Sequence, residues 1–290
     1  MKEAILYQKV TEDNVQCHVC NHRCIIHEGR RGICGVRENH KGTLYALNDG
    51  KTIAAGIDPI EKKPLYHFLP GTLIYSFAAA GCNFRCSWCQ NWEIAQGPKP
   101  REPVEGVEVL PKEHVERALE TGCPAIAYTY SEPTIFLEYA LSTMKLAPGK
   151  GLKNVWVTNG FMTREALEVI LPYLDAVNVD FKGPDDGVYE RYCGGSAGPV
   201  MDNLKYLVGK GVHVEITTLL VPGINDKADQ IEEIARFIVQ ELGPDVPWHI
   251  SRFFPAWQLM DTPVTPLKTL KLAQEIGEKA GLTRIHLGNV

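Results

Sequence analysis

The sequence of 290 residues predicts an α/β fold with a parallel sheet, preceded by a small cysteine-rich module. Two observations predict this arrangement. Six short apolar runs alternate with helical patterns, and four closely spaced cysteines stand in front of the first run. The runs lack polar alternation, which is typical of parallel strands that helices cover on both faces. Six strands are too few for a closed eight-stranded barrel.

Hydrophobic periodicity assigns the elements in order. The predicted strands cover residues 73–80, 125–130, 154–158, 176–181, 213–221 and 248–254. The predicted helices cover residues 112–121, 135–146, 164–174, 201–210, 227–242 and 267–280. Earlier in the chain, residues 43–57 predict two strands about an Asp49-Gly50 turn, and three prolines make 58–71 an irregular connector. We therefore predict two domains, a four-cysteine metal-binding module with its connector at 1–70 and a partial barrel at 71–290.

Composition and charge argue against several classes of protein. Lys and Arg number 30 against 35 Asp and Glu, so the net charge of −5 argues against a nucleic-acid partner on electrostatic grounds. No apolar run is long enough to span a bilayer, and the first residues lack the apolar segment of a signal peptide. We therefore expect a cytoplasmic protein without a membrane partner. Nine cysteines in such a chain favour metal or cluster ligation over disulfides.

The first cysteine group lies within eighteen residues near the start of the chain and comprises Cys17, Cys20, Cys24 and Cys34. Four thiols at this spacing, separated by glycine-containing turns, can surround a zinc ion or complete an iron–sulfur cluster. The sequence does not decide between these two alternatives. It slightly favours a structural metal site.

The second cysteine group follows the first predicted strand. Cys82, Cys86 and Cys89 form a C-x3-C-x2-C pattern, so one loop can hold three corners of an iron–sulfur cube. The fourth iron then has no protein ligand and can bind a small chelating molecule. A structural zinc ion is the alternative, but zinc sites usually have a second distant cysteine pair, which does not follow here.

This loop, with Trp88 just before its last cysteine, resembles the cluster loop of the radical S-adenosylmethionine (SAM) superfamily. The resemblance implies a 4Fe-4S cluster whose open iron binds the amino and carboxylate groups of SAM. It also implies reductive cleavage of SAM to a 5′-deoxyadenosyl radical that abstracts hydrogen from a substrate, within an open six-stranded (β/α)6 barrel. A small reductant such as flavodoxin or ferredoxin is implied as a partner, and an exposed cluster implies anaerobic handling.

Polar residues follow the predicted strands, where chemistry collects in parallel α/β folds. Here the sequence resembles the activating-enzyme branch of the superfamily, the relatives of pyruvate formate-lyase activating enzyme. Tyr130-Ser131-Glu132-Pro133 occupies the place of that branch's Gly-Gly-Glu-Pro element, which implies a contact of Glu132 with the SAM amino group, or of Thr129 or Ser131 in its place. The resemblance implies that the remaining SAM contacts come from the backbone of Trp88 and from Thr158, Asn159, Asp180 and Lys182.

The predicted substrate-facing residues are Lys182, Cys193, His249 and Arg252. Asp180 and Lys182 are two positions apart on a buried strand, so they face the same side and need an ion pair or a ligand contact. Cys193 can be a hydrogen-atom donor, a substrate contact or a small buried residue. His249 and Arg252 lie on the last predicted strand.

The cysteine module, residues 58–68, the Cys-Gln-Asn-Trp that ends the cluster loop and residues 249–255 together resemble the radical SAM enzymes of the AmmeMemoRadiSam system. These observations predict a radical SAM enzyme whose substrate is a small molecule or a protein glycine. One alternative is a glycyl-radical-enzyme activase. An alternative of another class is an iron–sulfur electron-transfer protein or metal-binding scaffold.

Overall fold

The first part of the chain forms short strands in the computed structural model, which describes residues 2–98 and 100–290. These strands are β1 (Lys2–Glu3), β2 (Tyr7–Lys9), β3 (Val15–Cys17), β4 (Ile25–Ile26), β5 (Arg37–His40), β6 (Thr43–Ala46), β7 (Lys51–Thr52) and β8 (Ala54–Pro59). One small sheet has the order β1-β6-β5 and another has the order β2-β3-β4. The cysteine-rich region is therefore folded on two small antiparallel sheets.

The rest of the chain alternates strands and helices around one large sheet. The later strands are β9 (Leu73–Ala78), β10 (Val107–Glu108), β11 (Ala125–Tyr128), β12 (Lys153–Thr158), β13 (Ala176–Asp180), β14 (His213–Leu220), β15 (Trp248–Arg252) and β16 (Ile285–Gly288). The helices are α1 (Trp92–Ala95), α2 (Pro111–Glu120), α3 (Leu137–Leu146), α4 (Arg164–Ile170), α5 (Asp186–Tyr192), α6 (Ala197–Gly209), α7 (Ala228–Phe237) and α8 (Leu267–Ala280). In the described part of the chain, no helix combines the length and apolarity needed to cross a membrane.

The large sheet has eight strands in the order β16-β15-β14-β13-β12-β11-β9-β8. The six predicted strands, β9 and β11 to β15, are present and run parallel to one another. This confirms the predicted α/β fold with a mostly parallel sheet. The carboxyl ends of these strands share one edge of the sheet, so the loops that follow them are brought together.

Two strands extend the sheet beyond the prediction. β16 adds in parallel to β15, and it was missed because its four half-buried residues carry too short a pattern. β8 adds antiparallel to β9 along the whole length of both strands. The hairpin predicted about Asp49-Gly50 is wrong: β7 pairs with β10, and β8 covers the free backbone edge of β9.

A continuous apolar core joins the cysteine-rich region to the barrel. Val15, Val19 and Val36 belong to the same buried cluster as Trp156 and Trp248. A buried ion pair adds a polar connection, since Arg37 on β5 donates to both oxygens of Glu138 on α3, at 3.0 and 2.6 Å. The division of the chain at residue 70 stays a prediction.

Candidate active site

A cavity of about 370 Å³ lies where the predicted cluster loop meets the strands of the barrel. Its walls come from three sources: the cluster loop (residues 79–91), the strands with their following loops, and the connector. The lining includes Cys82, Cys86, Trp88, Cys89, Ser131, Glu132, Thr158, Asn159, Asp180 and Lys182. All the residues predicted to bind the cluster of this loop or SAM therefore line one cavity.

Backbone hydrogen bonds hold the cluster loop in place. The N–H of Phe84 donates to Cys82 Sγ at 3.3 Å, and the N–H of Cys89 donates to the carbonyl of Cys86 at 3.0 Å. The N–H groups of Arg85 and Ser87 donate to the carbonyls of Cys193 and Tyr192, at 2.7 and 2.9 Å. The segment at the end of α5 thus supports the loop from behind.

Gly81 allows the cluster loop to approach the cysteine-rich region closely. Its φ of +103° lies in the region that favours glycine. A Cβ there would stand 2.8 Å from Val36 Cγ1 and 2.9 Å from the carbonyl oxygen of Cys34. A larger residue would push the two cysteine groups apart.

The three cavity cysteines suit a cluster whose irons supply positive charge. Burial raises the pKa of Cys82, and burial together with the charge of Cys86 raises the pKa of Cys89 to about 11. A hydrogen bond from the Cys193 thiol lowers the pKa of Cys86. Within residues 2–98 and 100–290, no three Cys, His, Asp or Glu side chains are grouped so as to hold a single metal ion. A cube places its cysteine sulfurs at separate corners, so three thiols along one cavity wall fit this group.

Glu132 connects the ends of two strands. Its Oε1 accepts hydrogen bonds from the hydroxyls of Thr134 and Thr158, both at 2.6 Å, and its Oε2 accepts one from the N–H of Asn159 at 2.8 Å. The Asn159 side chain in turn donates to Asn83 Oδ1 at 2.8 Å. Burial raises the pKa of Glu132, although these hydrogen bonds act to lower it. The neighbouring Ser131 hydroxyl donates to the carbonyl of Ala79 at 2.5 Å.

Asp180 and Lys182 form the predicted ion pair, with 2.7 Å between Lys182 Nζ and Asp180 Oδ2. Burial alone would lower the pKa of Lys182, but the charges of Asp180 and Cys86 outweigh it and raise that pKa well above its ordinary value. The second oxygen, Asp180 Oδ1, is buried and has no hydrogen-bond partner in the described part of the chain. An acceptor left over in this cavity fits a ligand that donates a hydrogen bond there.

Three of the residues predicted to face the substrate lie outside the cavity wall. His249 is buried one residue into β15, where its Nε2 is 2.6 Å from Glu215 Oε2. Successive residues of a strand point to opposite faces, so the Arg252 side chain lies on the face of β15 away from the Ser251 side chain. There its Nε donates to the carbonyl of Thr265 at 2.8 Å. Cys193 is fully buried behind Cys86. The expected position of these residues at the barrel mouth is therefore corrected, while Lys182 does line the cavity.

The four cysteines of the N-terminal group lie near one another and near the cluster loop. Burial raises the pKa of Cys17 to about 11, and the charges of Cys34 and Cys24 contribute to the increase. Cys20 pairs with Met162 in a β-bridge. His22 Nε2 lies 2.8 Å from the carbonyl of Asn83 in the cluster loop.

Sequence reasoning missed several residues of the cavity and its support: Lys62, Lys63, Asn83, Tyr130, Ser251 and Asn289. Tyr130 had a usable signal, because it stands where the related motif has glycine, and its φ is +62°. Lys62 and Lys63 had none, since their position depends on the path of the irregular connector.

A three-cysteine loop at the carboxyl edge of a parallel sheet, beside a cavity with polar strand ends, defines a cluster-dependent α/β enzyme. The chain belongs to the radical SAM superfamily, whose family model matches residues 78–238. Members of this family are enzymes, and cleavage of SAM at a 4Fe-4S cluster is general to them.

Comparisons with individual proteins agree with this membership. The chain is 44% identical over 290 residues to the uncharacterized protein MJ0808 of Methanocaldococcus jannaschii, covering 100% of this chain and 86% of that protein. It is 27% identical over 162 residues to the pyruvate formate-lyase-activating enzyme of Clostridium pasteurianum, covering 54% and 66%. A radical SAM methyltransferase from Sphaerobacter thermophilus has the same fold, with a TM-score of 0.56 and 18% identity over 76% of this chain and 67% of that one.

Proposed function

We propose that this chain cleaves SAM reductively at a 4Fe-4S cluster held by Cys82, Cys86 and Cys89, and that a substrate in the adjoining cavity loses a hydrogen atom. The observation that carries the proposal is the convergence of these cysteines with Glu132, Thr158 and Asp180 on one cavity. When bound, the cluster supplies the electron and SAM supplies the hydrogen-abstracting radical.

The chain's own residues orient these groups and exclude water. The Glu132 carboxylate and Asp180 Oδ1, which has no hydrogen-bond partner among the described residues, offer acceptors to the amino and hydroxyl groups of SAM. The buried Lys182 interacts electrostatically with Cys86 and keeps a positive charge near the cluster sulfurs. Phe84 and Trp88 are nearly fully buried and shield the loop from solvent, which protects a reactive radical from side reactions.

Activation of a glycyl-radical enzyme is the second candidate. It is supported by the similarity to the pyruvate formate-lyase-activating enzyme of Clostridium pasteurianum over about half of this chain. The remaining alternative, an electron-transfer or scaffold protein, gains no support from a cavity whose walls combine the cluster loop with polar strand ends. We further propose a flavodoxin- or ferredoxin-type reductant, a cytoplasmic location and an oxygen-sensitive cluster.

We also propose that Cys17, Cys20, Cys24 and Cys34 bind a structural metal ion, with a second iron–sulfur cluster as the alternative. A single ion would require these side chains to move, because within residues 2–98 and 100–290 no three such side chains are grouped around one ion position. Burial disfavours the thiolates of Cys17, Cys20 and Cys24, and a cation would offset that disadvantage. Metal analysis of a Cys17→Ala variant should show a loss of zinc or iron relative to the wild type. Unchanged contents of both metals would contradict this site.

The main proposal is tested by replacing Cys82, Cys86 and Cys89 together with alanine. Anaerobically reconstituted protein is reduced with dithionite, and 5′-deoxyadenosine formed from SAM is quantified. We expect the triple variant to lose activity to background, whereas Cys123→Ala, which changes a buried cysteine outside the cavity, retains it. Cleavage by the triple variant at the wild-type rate would refute the assignment.

A further inference from the structure

Two lysines of the connector line the same cavity as the cluster cysteines. The Lys63 side chain is only 5% exposed, and its Nζ lies 3.0 Å from Asp58 Oδ2. It also donates to the Tyr130 hydroxyl at 3.3 Å and lies 4.4 Å from the centre of the Tyr130 ring. Lys62 Nζ contacts the other Asp58 oxygen at 3.1 Å. We refer to Asp58, Lys62, Lys63 and Tyr130 as the Lys63 cluster.

Tyr130 connects the Lys63 cluster to the loop that carries Cys82, Cys86 and Cys89. Its left-handed backbone conformation, with φ +62°, is uncommon for a bulky residue and marks strain of the kind found at ligand sites. The Asn91 side chain holds the Tyr130 carbonyl with a hydrogen bond of 2.8 Å. The Tyr130 hydroxyl donates to Asp58 Oδ2 at 3.2 Å. The chain therefore aims the Tyr130 side chain from the end of β11 toward the connector.

The Lys63 cluster carries an excess of positive charge. Two ammonium groups share a single carboxylate, although the chain as a whole has a net charge of −5. Burial lowers the pKa of Lys63 despite its contact with Asp58. A second anion beside Lys63 would offset the loss of hydration of the buried ammonium group. The Lys63 cluster therefore carries one more positive than negative charge, and an anion bound in the cavity would balance this excess.

We propose that the Lys63 cluster is the substrate subsite and that it binds an oxyanion, a carboxylate or a phosphate, of a small-molecule substrate. The inference rests on the proposed function, because it assigns the second ligand of the same cavity. The Lys62 and Lys63 ammonium groups bind the oxyanion, while the Tyr130 hydroxyl, which accepts from Lys63 and donates to Asp58, holds these two side chains in place. A small anionic substrate is thereby favoured over a protein glycine, whose reacting residue has no charged group.

The test uses the full chain with its cluster reconstituted, and inorganic phosphate and acetate as separate probes at low ionic strength. Titration calorimetry without SAM or reductant should show saturable binding of at least one probe to the wild type, and the stronger one indicates the chemical source. Lys63→Met should weaken this binding at least tenfold, while Lys63→Arg keeps it within threefold. Lys153→Met serves as the control, since Lys153 pairs with Asp175 and lies outside the cavity wall.

Three results would overturn the inference: no saturable binding of either probe to the wild type, equal affinity in Lys63→Met, or equal loss of affinity in Lys153→Met. A loss of SAM affinity in Lys63→Met as large as the loss for the probe would assign the lysines to SAM and also overturn it. Anion binding is measured without SAM and reductant, whereas the proposed function is judged by 5′-deoxyadenosine formation. The two proposals can therefore fail separately.

Discussion

The carboxylate of Glu132 accepts a hydrogen bond of 2.8 Å from the backbone N–H of Asn159, which joins the loop after β11 to the loop after β12. The Asn159 side chain continues the connection to Asn83 Oδ1, next to Cys82 in the cluster loop. One buried carboxylate therefore fixes the relative position of two strand ends and, through Asn159, of the cluster loop.

Replacing Glu132 with Gln should weaken SAM binding. The glutamine NH2 group would face one of the N–H or O–H donors that the carboxylate now accepts from. The substitution would also remove the negative charge that we propose lies near the SAM amino group. A hydrogen bond to a charged group contributes about 1.5–3 kcal/mol, so we expect an affinity loss of about tenfold or more. Equilibrium dialysis with reconstituted protein measures this change.

Glu138→Gln is the matched control for Glu132→Gln. Glu138 is also a buried carboxylate, but it pairs with Arg37 outside the cavity wall. We expect SAM affinity per folded protein to be unchanged in this variant. Equal losses of affinity in the two variants would show that Glu132 acts through stability alone.

Cys193→Ala should make the cluster harder to reduce without removing iron. The buried Cys193 thiol lowers the pKa of Cys86 by its interaction with that side chain, and a thiol that donates to a cluster sulfur stabilises the more negative reduced form. One such bond of about 1 kcal/mol corresponds to a decrease of about 40 mV in a one-electron midpoint potential. A redox titration followed by iron analysis checks this; an unchanged potential or a loss of iron would contradict the role of Cys193 as a partner of a ligand.

Breaking the Arg37–Glu138 pair should destabilise the contact between the cysteine-rich region and the barrel. Both side chains are almost fully buried, so Arg37→Met leaves a carboxylate without its partner. Removing one member of a buried pair typically costs about 3–5 kcal/mol, whereas replacing both by apolar residues is often close to neutral. Urea unfolding should show a large loss for Arg37→Met and partial recovery for Arg37→Met with Glu138→Leu. An equal loss in both would exclude the ion pair as the cause.

Glu215 should make folding stability depend on pH in the acid range. It accepts hydrogen bonds from the N–H groups of Tyr66 and His67 and lies within 2.9 Å of His213 Nε2 and 2.6 Å of His249 Nε2. Burial opposes ionisation, but these contacts outweigh it and lower the pKa of Glu215 well below its ordinary value of 4.5. The unfolded chain therefore takes up a proton at a higher pH than the folded chain does. The stabilisation is complete above the ordinary pKa and decreases as the pH falls below it.

The measurement compares wild-type and Glu215→Gln protein by urea unfolding between pH 7 and pH 3. We expect a difference in the free energy of unfolding of about 3 kcal/mol that is nearly constant from pH 7 to pH 5 and shrinks between pH 5 and pH 3. A constant difference over this range would contradict the depressed pKa of Glu215.

The parts of the fold that were predictable have local signals. Buried parallel strands such as β12 and β13 leave apolar runs without alternation, and the ion pair of Asp180 with Lys182 follows from their spacing of two residues at the end of β13. The partner of β8 was not predictable, because the local Asp49-Gly50 hairpin signal competes with the distant open edge of β9. Tertiary pairing prevailed over the local turn preference.

The same distinction applies to the site. The spacing of Cys82, Cys86 and Cys89 is contained in one loop, so it is visible in the sequence. The path of the connector depends on Glu215, which is about 150 positions away from the Tyr66 and His67 N–H groups that it holds. The position of the connector lysines and the burial of His249 both depend on that path, so no local sequence pattern predicts them.

The most direct test of the central claim is electron paramagnetic resonance of anaerobically reconstituted, dithionite-reduced protein, with and without SAM. We expect a reduced 4Fe-4S signal that changes when SAM is added and is lost when Cys82, Cys86 and Cys89 are replaced by alanine. A cluster signal that is indifferent to SAM, or one that survives in the alanine variant, would contradict SAM binding at a cluster held by these three cysteines.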